Sequence, residues 1–289
     1  MIGFINCYKP KGVSSFWVVS KIKKIYGTKK VGHLGTLDPM AEGVLPIAVG
    51  KATRFFDYFL DKDKWYDAEF EAGYKTDTLD ADGEKIVVDN KVPSLEEIEK
   101  TLPNFIGKIE QIPPKYSAKK INGERAYNLA RAGKEFTVKP NSVEIYAILA
   151  SKGVLDSLFR FKIHCRAGTY IRSLGCDIFD SIGYNATMTK LVRLASGNFE
   201  IGGALSLEEI ESNPKNALSS IDKYLPNFNK LFITGEQKMK LLNGVVVDFA
   251  GVVAGNWYLV YYDKNVLGAF FANENGKIKL KINLYDGED

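Results

Sequence analysis

Apolar and acidic residues alternate through the segment Tyr66 to Tyr74. Tyr66, Ala68, Phe70, Ala72 and Tyr74 fall on one side, and Asp67, Glu69 and Glu71 on the other. That period of two predicts a half-buried strand over 65–74. Looser alternation predicts strands over 2–8, 142–150 and 157–165. Elsewhere the period lengthens. Ser14 or Ser15 can cap a helix whose Val18, Ile22 and Ile25 share a face, with Gly27 as its stop. Ser94 with Glu97, and Ser206 with Glu209, have the spacing of capping boxes. The first predicts a helix to about Leu102. A helix is predicted over 124–132, ending at Gly133. Another starts from a Thr169 cap and runs to about Ser181, with Ile171, Leu174 and Ile178 inward. Strands and helices interleave without a regular βαβ period. The expected class is therefore α+β, a mixed or antiparallel sheet flanked by helices.

The texture changes after Pro226-Asn227-Phe228-Asn229. One short helix, Thr234 to Leu242, is followed by predicted strands near 245–249, 257–262, 266–271 and 278–284, separated by Gly, Asn and Asp turns. A large domain over 1–226 and a small β-barrel-like domain over 230–289 are expected. The chain has no internal repeat and no low-complexity segment.

Composition narrows the class further. With 289 residues, 45% hydrophobic and 26% charged, the chain can build an ordinary globular core. No apolar run reaches the ~18 residues of a membrane span. The N-terminal residues lack a basic stretch followed by a long apolar one, so a cytoplasmic protein is expected. Cys7, Cys165 and Cys176 are too few and too scattered for a disulfide framework or a zinc site, and only two histidines are present. No metal is expected. The net charge of +4 is mild, but its distribution is uneven. Lys21, Lys23, Lys24, Lys29 and Lys30 occur with no acid among them. Lys115, Lys119, Lys120, Arg125, Arg131 and Lys134 form a second basic stretch interrupted by Glu124. Charge alone leaves both as solvated faces or as phosphate-binding surfaces.

The densest punctuation lies between Val31 and Arg54. Gly32, Gly35, Gly43, Gly50, Pro39 and Pro46 surround Asp38, with Glu42 the one other acid of the stretch. A helix cannot absorb that many breaks. Such a segment holds one acid where another backbone can approach closely. In isolation Asp38-Pro39 would be a turn. In context it is part of Gly-His-x-Gly-x-Leu-Asp-Pro-x-Ala-x-Gly-x-Leu-Pro, complete from Gly32 to Pro46. This resembles the nucleophile loop of the TruB family, the pseudouridine synthases of the tRNA TΨC loop.

The resemblance extends over about residues 3–212. It includes Lys9-Pro-Lys-Gly-Val-Ser, the Gly73 to Gly83 segment, Pro113-Pro114 to Tyr127, and Gly168-Thr-Tyr-Ile-Arg172. It implies that Asp38 is the catalytic carboxylate, as nucleophile or as base on the ribose. Arg172 would pair with it, because a carboxylate that must stay ionised needs a permanently charged partner. Tyr66 would stack on the flipped uracil. Tyr170 and Leu191 would line the base pocket, His33 would stack with RNA, and Lys9 belongs to the family's N-terminal motif and joins the substrate contacts. The basic segment 112–134, with Lys115, Lys119, Lys120, Arg125 and Arg131, would grip the phosphate backbone. The small C-terminal domain loosely resembles a PUA RNA-binding module. The implied partner is the T-arm of tRNA, with no cofactor, no obligate protein partner, no membrane and a monomeric enzyme.

Two departures from the family pattern, Thr187 and Val192, bear on RNA contacts rather than on the reaction. Asp77, Asp80 and Asp82 before Gly83 fail the calcium-loop pattern and read as a self-capped turn. His164, among strand phenylalanines, is expected to be structural. Two alternative functions use the same surfaces: a guide-RNA-dependent synthase subunit, and a chaperone of tRNA folding.

Overall fold

Chain order in this computed structural model begins with β1 (Gly3–Lys9), α1 (Ser15–Tyr26), β2 (Val31–His33) and β3 (Glu42–Val49). The structure describes all residues except Ala118, Asn122, Asp248, Asp286, Glu288 and Asp289, and except the side chain of Lys120. The short α2 (Phe56–Leu60) leads into β4 (Lys64–Ala72), β5 (Tyr74–Thr76), β6 (Lys85–Val88), α3 (Leu95–Thr101) and β7 (Gly107–Gln111). The small β8 (Lys120–Ile121) and β9 (Glu124–Arg125) precede α4 (Ala126–Arg131). Long strands β10 (Asn141–Lys152) and β11 (Leu158–Cys165) flank the approach to α5 (Ile171–Asp180). Then come β12 (Ala186–Ser196), β13 (Phe199–Glu200), α6 (Leu207–Ser212) and α7 (Pro214–Ala217). The C-terminal part holds β14 (Asn229–Phe232), α8 (Gly235–Leu242), β15 (Trp257–Tyr262), β16 (Asn265–Ala272) and β17 (Ile278–Asn283).

The main sheet has the order β1-β3-β12-β4-β11-β10-β7, with β2 added to β3 and β13 to β12. Only the β12–β3 pairing is parallel, so the sheet is mixed, as the α+β reading expects. Alternation decides which face is covered. Ala68, Phe70 and Ala72 of β4 are buried against α5, while Trp65 on the opposite face is exposed. Gly175 of α5 lies directly over Phe70, where an added Cβ would sit 2.0 Å from a ring carbon. Gly175→Ala is therefore expected to force helix and sheet apart at a cost of about 3 kcal/mol, the upper range for overpacking. A melting temperature unchanged from wild type would disprove that packing argument.

Local signals read from the sequence reappear as caps. Ser14 caps α1 and Gly27 ends it in the left-handed region at φ 60. Reciprocal capping boxes open α3, α6 and α8. Four expectations need correction. The strand expected over 65–74 stops at Ala72, because Gly73 turns at φ 101 and Tyr74 joins β6 instead. The helix expected over 124–132 spans only 126–131, its first two residues pairing as β9. Tyr170, not Thr169, is the N-cap residue of α5; the Thr169 hydroxyl donates back to Arg166. Where a strand is expected near 245–249, the described residues form a single bridge, Val247 to Ile278.

Among the described residues the C-terminal strands form an open four-stranded sheet, β14-β15-β16-β17, rather than a closed barrel. One aromatic cluster ties it to the main sheet. Phe4, Phe55 and Phe199 pack in the same core as Phe228, Leu259, Ala269 and Leu284. A second core under α8, around Val260, Phe270 and Ile278, belongs to the C-terminal sheet itself. No helix is long and apolar enough to cross a membrane among the described residues.

Candidate active site

The loop after β2 carries Asp38, and the fold pins it from several sides. The Ser15 hydroxyl accepts from the Leu37 N–H and donates to the Leu37 carbonyl, each at 2.9 Å. Gly12 N–H donates to the Pro39 carbonyl at 2.8 Å. Arg193, from β12, donates to the carbonyls of Gly35, Thr36 and Val44. Gly43 lets β3 pass against Arg193: its φ is +103, and a Cβ there would meet the Arg193 carbonyl at 2.4 Å. Only glycine satisfies both conditions at that crossing.

Asp38 projects from this loop with 39% of its side chain exposed, and its Oδ2 lies 2.8 Å from Arg172 Nη2. Arg172 sits in the first turn of α5, with 6% of its side chain exposed. Its Nη1 reaches Asp80 Oδ2 at 3.1 Å and donates to the Thr78 carbonyl at 2.9 Å. Its Nη2 also donates to the Tyr116 carbonyl at 2.9 Å. One planar guanidinium thus joins two carboxylates and two carbonyls, a geometry open to arginine and closed to lysine.

Asp80 is held from behind. Its Oδ1 accepts from the Thr78 hydroxyl at 2.6 Å and from the Asp82 N–H at 3.2 Å. The acidic run is a self-capped turn, as its sequence suggests, but that turn also aims a buried carboxylate at Arg172. Between Thr78 and Asp80, Leu79 has φ 65. A branched residue there stores local strain, of order 1 kcal/mol. Burial raises the Asp80 pKa, against the lowering influence of the Thr78 hydroxyl and Arg172.

These groups open onto a cavity of about 260 Å³ whose lining includes Asp38, Tyr66, Tyr170, Arg172 and Leu191. Five residues singled out from the sequence are therefore brought together. The Tyr66 ring is buried; burial pushes its phenol up to about 12, against the lowering influence of Arg193. Tyr170 is fixed through its backbone: its N–H donates to Gln111 Oε1 at 2.8 Å, and Gln111 Nε2 donates to its carbonyl at 3.1 Å.

Other expected contacts lie elsewhere. Lys9 does not face the cavity. Its fully buried ammonium donates to the carbonyls of Pro10, Val13 and Pro39, tying β1 to the Asp38 loop. An ammonium buried this way has its donors committed, so the fold makes Lys9 a positioning residue. His33 pairs with Ile47 in the β2–β3 ladder and is not in the cavity lining. Burial, then Arg193, lowers its pKa. In the basic segment, Lys115 and Arg125 are exposed. Lys119 donates to the Lys139 carbonyl and to Asn141 Oδ1, and Arg131 donates to the Tyr127 hydroxyl while lying over its ring. The Lys120 side chain lies outside the described residues. All three cysteines are free and buried. His164 stacks on Trp65 with ring centroids 3.8 Å apart.

Three residues of the site escaped sequence reasoning as site residues: Asp80, Arg193 and Lys64. Lys64 lines the cavity, donates to the Leu60 carbonyl at 3.1 Å and to the Lys62 carbonyl, and is pulled down to about 8 by burial. The available signal for it was its place in the β4 alternation, two residues before Tyr66, which puts it on the buried face.

The chain is similar to known proteins along most of its length. The description "TruB family pseudouridylate synthase (N terminal domain)" matches residues 23–171. A tRNA pseudouridine synthase B of Clostridium acetobutylicum is 42% identical over 289 residues, covering 98% of this chain and 99% of that one. Another, of Caldanaerobacter subterraneus, is 38% identical over 96% of this chain and 98% of its own length. Among solved structures, a chain of a Cbf5-Nop10-Gar1 complex superposes with a TM-score of 0.71 at 26% identity, covering 97% of this chain and 84% of that one.

Proposed function

Since the chain belongs to the TruB family of pseudouridylate synthases, we propose that it converts the uridine at position 55, in the TΨC loop of tRNA, to pseudouridine. The enzyme is an isomerase. The C1′–N1 bond breaks, the uracil turns, and a C1′–C5 bond forms; C5 gives up its proton and N1 regains one. The reaction is redox-neutral.

The observation that carries this reading is the Asp38–Arg172–Asp80 chain, whose Asp38 and Arg172 line a cavity together with Tyr66 and Leu191. Arg172 aims the Asp38 carboxylate, and Asp80 keeps Arg172 in place. A flipped uridine enters with its uracil between Tyr66 and Leu191, where ring stacking tolerates the rotation that the isomerisation requires. Asp38 then acts as nucleophile, or as base on the ribose. The cavity is at the small end for ligand pockets, which suits one extruded base rather than a loop. Tyr170 lines it beside Arg172. His33 and the basic segment 112–134 meet RNA outside the cavity, the C-terminal sheet serves as a PUA-like RNA-binding module, and the enzyme acts as a monomer on the T-arm.

Release of tritium from a bare tRNA transcript labelled at uridine C5 tests this directly. Purified protein alone should release about one equivalent per tRNA, mapping to position 55. Release that required added proteins or a guide RNA would replace this reading with the guide-dependent one. Binding and refolding of tRNA without release would leave a chaperone.

A further inference from the structure

Helix α1 carries the most unusual exposed surface outside the cavity. Phe16 is 68% exposed and Trp17 41% exposed, side by side in its first turn. Each ring has a lysine over it: Lys23 Nζ lies 5.8 Å from the Phe16 centroid and Lys21 Nζ 5.1 Å from the Trp17 centroid. From Lys9 to Lys30 the chain has seven lysines and no acid. Large exposed aromatics destabilise nothing by being there, but they gain nothing from water either. Paired with unneutralised cations, they match a ligand that offers phosphates and flat rings together.

The two flanks of α1 differ. At 100° per residue, Phe16, Ser20 and Lys23 share one flank, and Trp17, Lys21 and Lys24 the other. The second flank borders a groove of about 280 Å³ whose far wall carries Glu208 and Glu211 of α6. Those carboxylates repel a polyanion. Phe16 and Lys23 do not line that groove; none of Lys21, Lys23 and Lys24 is in a salt bridge among the described residues, but Lys21 and Lys24 share the groove with the acids of α6 and Lys23 does not. The same first turn is locked to the Asp38 loop through Ser15 and Leu37. Phe16 is therefore held at a fixed place beside the candidate catalytic loop.

We propose that the Phe16–Lys23 flank of α1 is a docking surface for a strand of the tRNA substrate lying outside the cavity. Lys23 meets a phosphate and Phe16 packs on a ribose or base, which orients the tRNA as the target uridine enters. This rests on the reading of the chain as a tRNA-modifying enzyme.

The test compares two matched double variants of the full chain, Phe16→Ala with Lys23→Ala and Trp17→Ala with Lys21→Ala. Each removes one ring and one charge from the surface of α1, and both should melt like the wild type. The first pair should weaken tRNA binding on the order of tenfold and reduce the slope of log Kd against log salt by about 0.7–0.9, the share of one phosphate contact. KM should rise with it, while the second pair stays within about threefold of wild type. Equal effects from the two pairs would reduce the surface to diffuse attraction and overturn the proposal. Wild-type Kd for the first pair, or a fall in kcat with Kd unchanged, would overturn it too. Failure of the wild type itself to form pseudouridine would instead bring down the function on which the proposal rests.

Discussion

Asp38→Asn is expected to bind tRNA about as tightly as the wild type and to release no measurable tritium from uridine C5, a loss on the order of 10⁴-fold or more. The amide nearly matches the carboxylate in shape, and its oxygen can still accept from Arg172 Nη2, now 2.8 Å from Asp38 Oδ2. Arg172 also keeps Asp80 and two carbonyls, so the loop and helix should stay in place. Only the negative charge and its nucleophilic or basic lone pair are lost. Asp80 cannot take its place, since it meets the other nitrogen of the guanidinium, Nη1. A variant retaining a near-wild-type rate would remove Asp38 from the chemistry.

Arg172→Met should have the second largest effect, and it should reach stability as well as rate. Removing the guanidinium strands the Asp80 carboxylate, 7% exposed, without its cation. Breaking a buried pair in this way costs about 3–5 kcal/mol. The pH dependence follows from the direction of the Asp80 shift. Burial already raises its pKa above the ordinary carboxylate value, and loss of Arg172 raises it further. A carboxyl with a raised folded-state pKa destabilises the fold at high pH, and the penalty is relieved as pH falls through that pKa. Relative to wild type, the Arg172→Met protein should therefore recover melting temperature as pH falls through the raised Asp80 pKa. Arg172→Lys keeps the charge but not the fork that reaches both carboxylates, so kcat should still fall, on the order of 10²-fold, with Kd for tRNA little changed. A parallel pH profile for wild type and Arg172→Met would show that Asp80 is not the stranded group.

Much of the framework was legible because it is written locally. A capping box needs two residues three apart, and those read at Ser94 and Ser206 formed as their spacing allowed. The alternation beginning at Tyr66 marked β4, and the glycine and proline density around Asp38 marked a loop that other backbones approach closely. Runs of β-branched residues were less dependable. Val245, Val246 and Val247 have strand propensity, but only one bridge partner is in reach, and propensity without a neighbouring edge does not make a strand. The reverse failure concerns β12. It joins β3 to β4 and carries Leu191 and Arg193, yet its Thr and Lys positions interrupt a simple alternation, and its bulges shift the register at Met188 and again at Arg193.

The sequence by itself determined which residue types surround a conspicuous aspartate, where most helices begin, and that sheet and helices would mix. It did so through short-range rules: periodicity, caps and the backbone freedom of glycine. It also identified the family, through a motif that runs from the end of β2 through the Asp38 loop into β3. Only the tertiary structure decided that Arg172 would bridge Asp38 to Asp80, that Arg193 would anchor the Asp38 loop, and that Lys9 would turn inward onto three carbonyls. Those contacts join residues from different strands, loops and helices. They exist because burial leaves charged groups no water, so each must find donors or acceptors from whatever the packing brings near. No spacing along the chain encodes that choice.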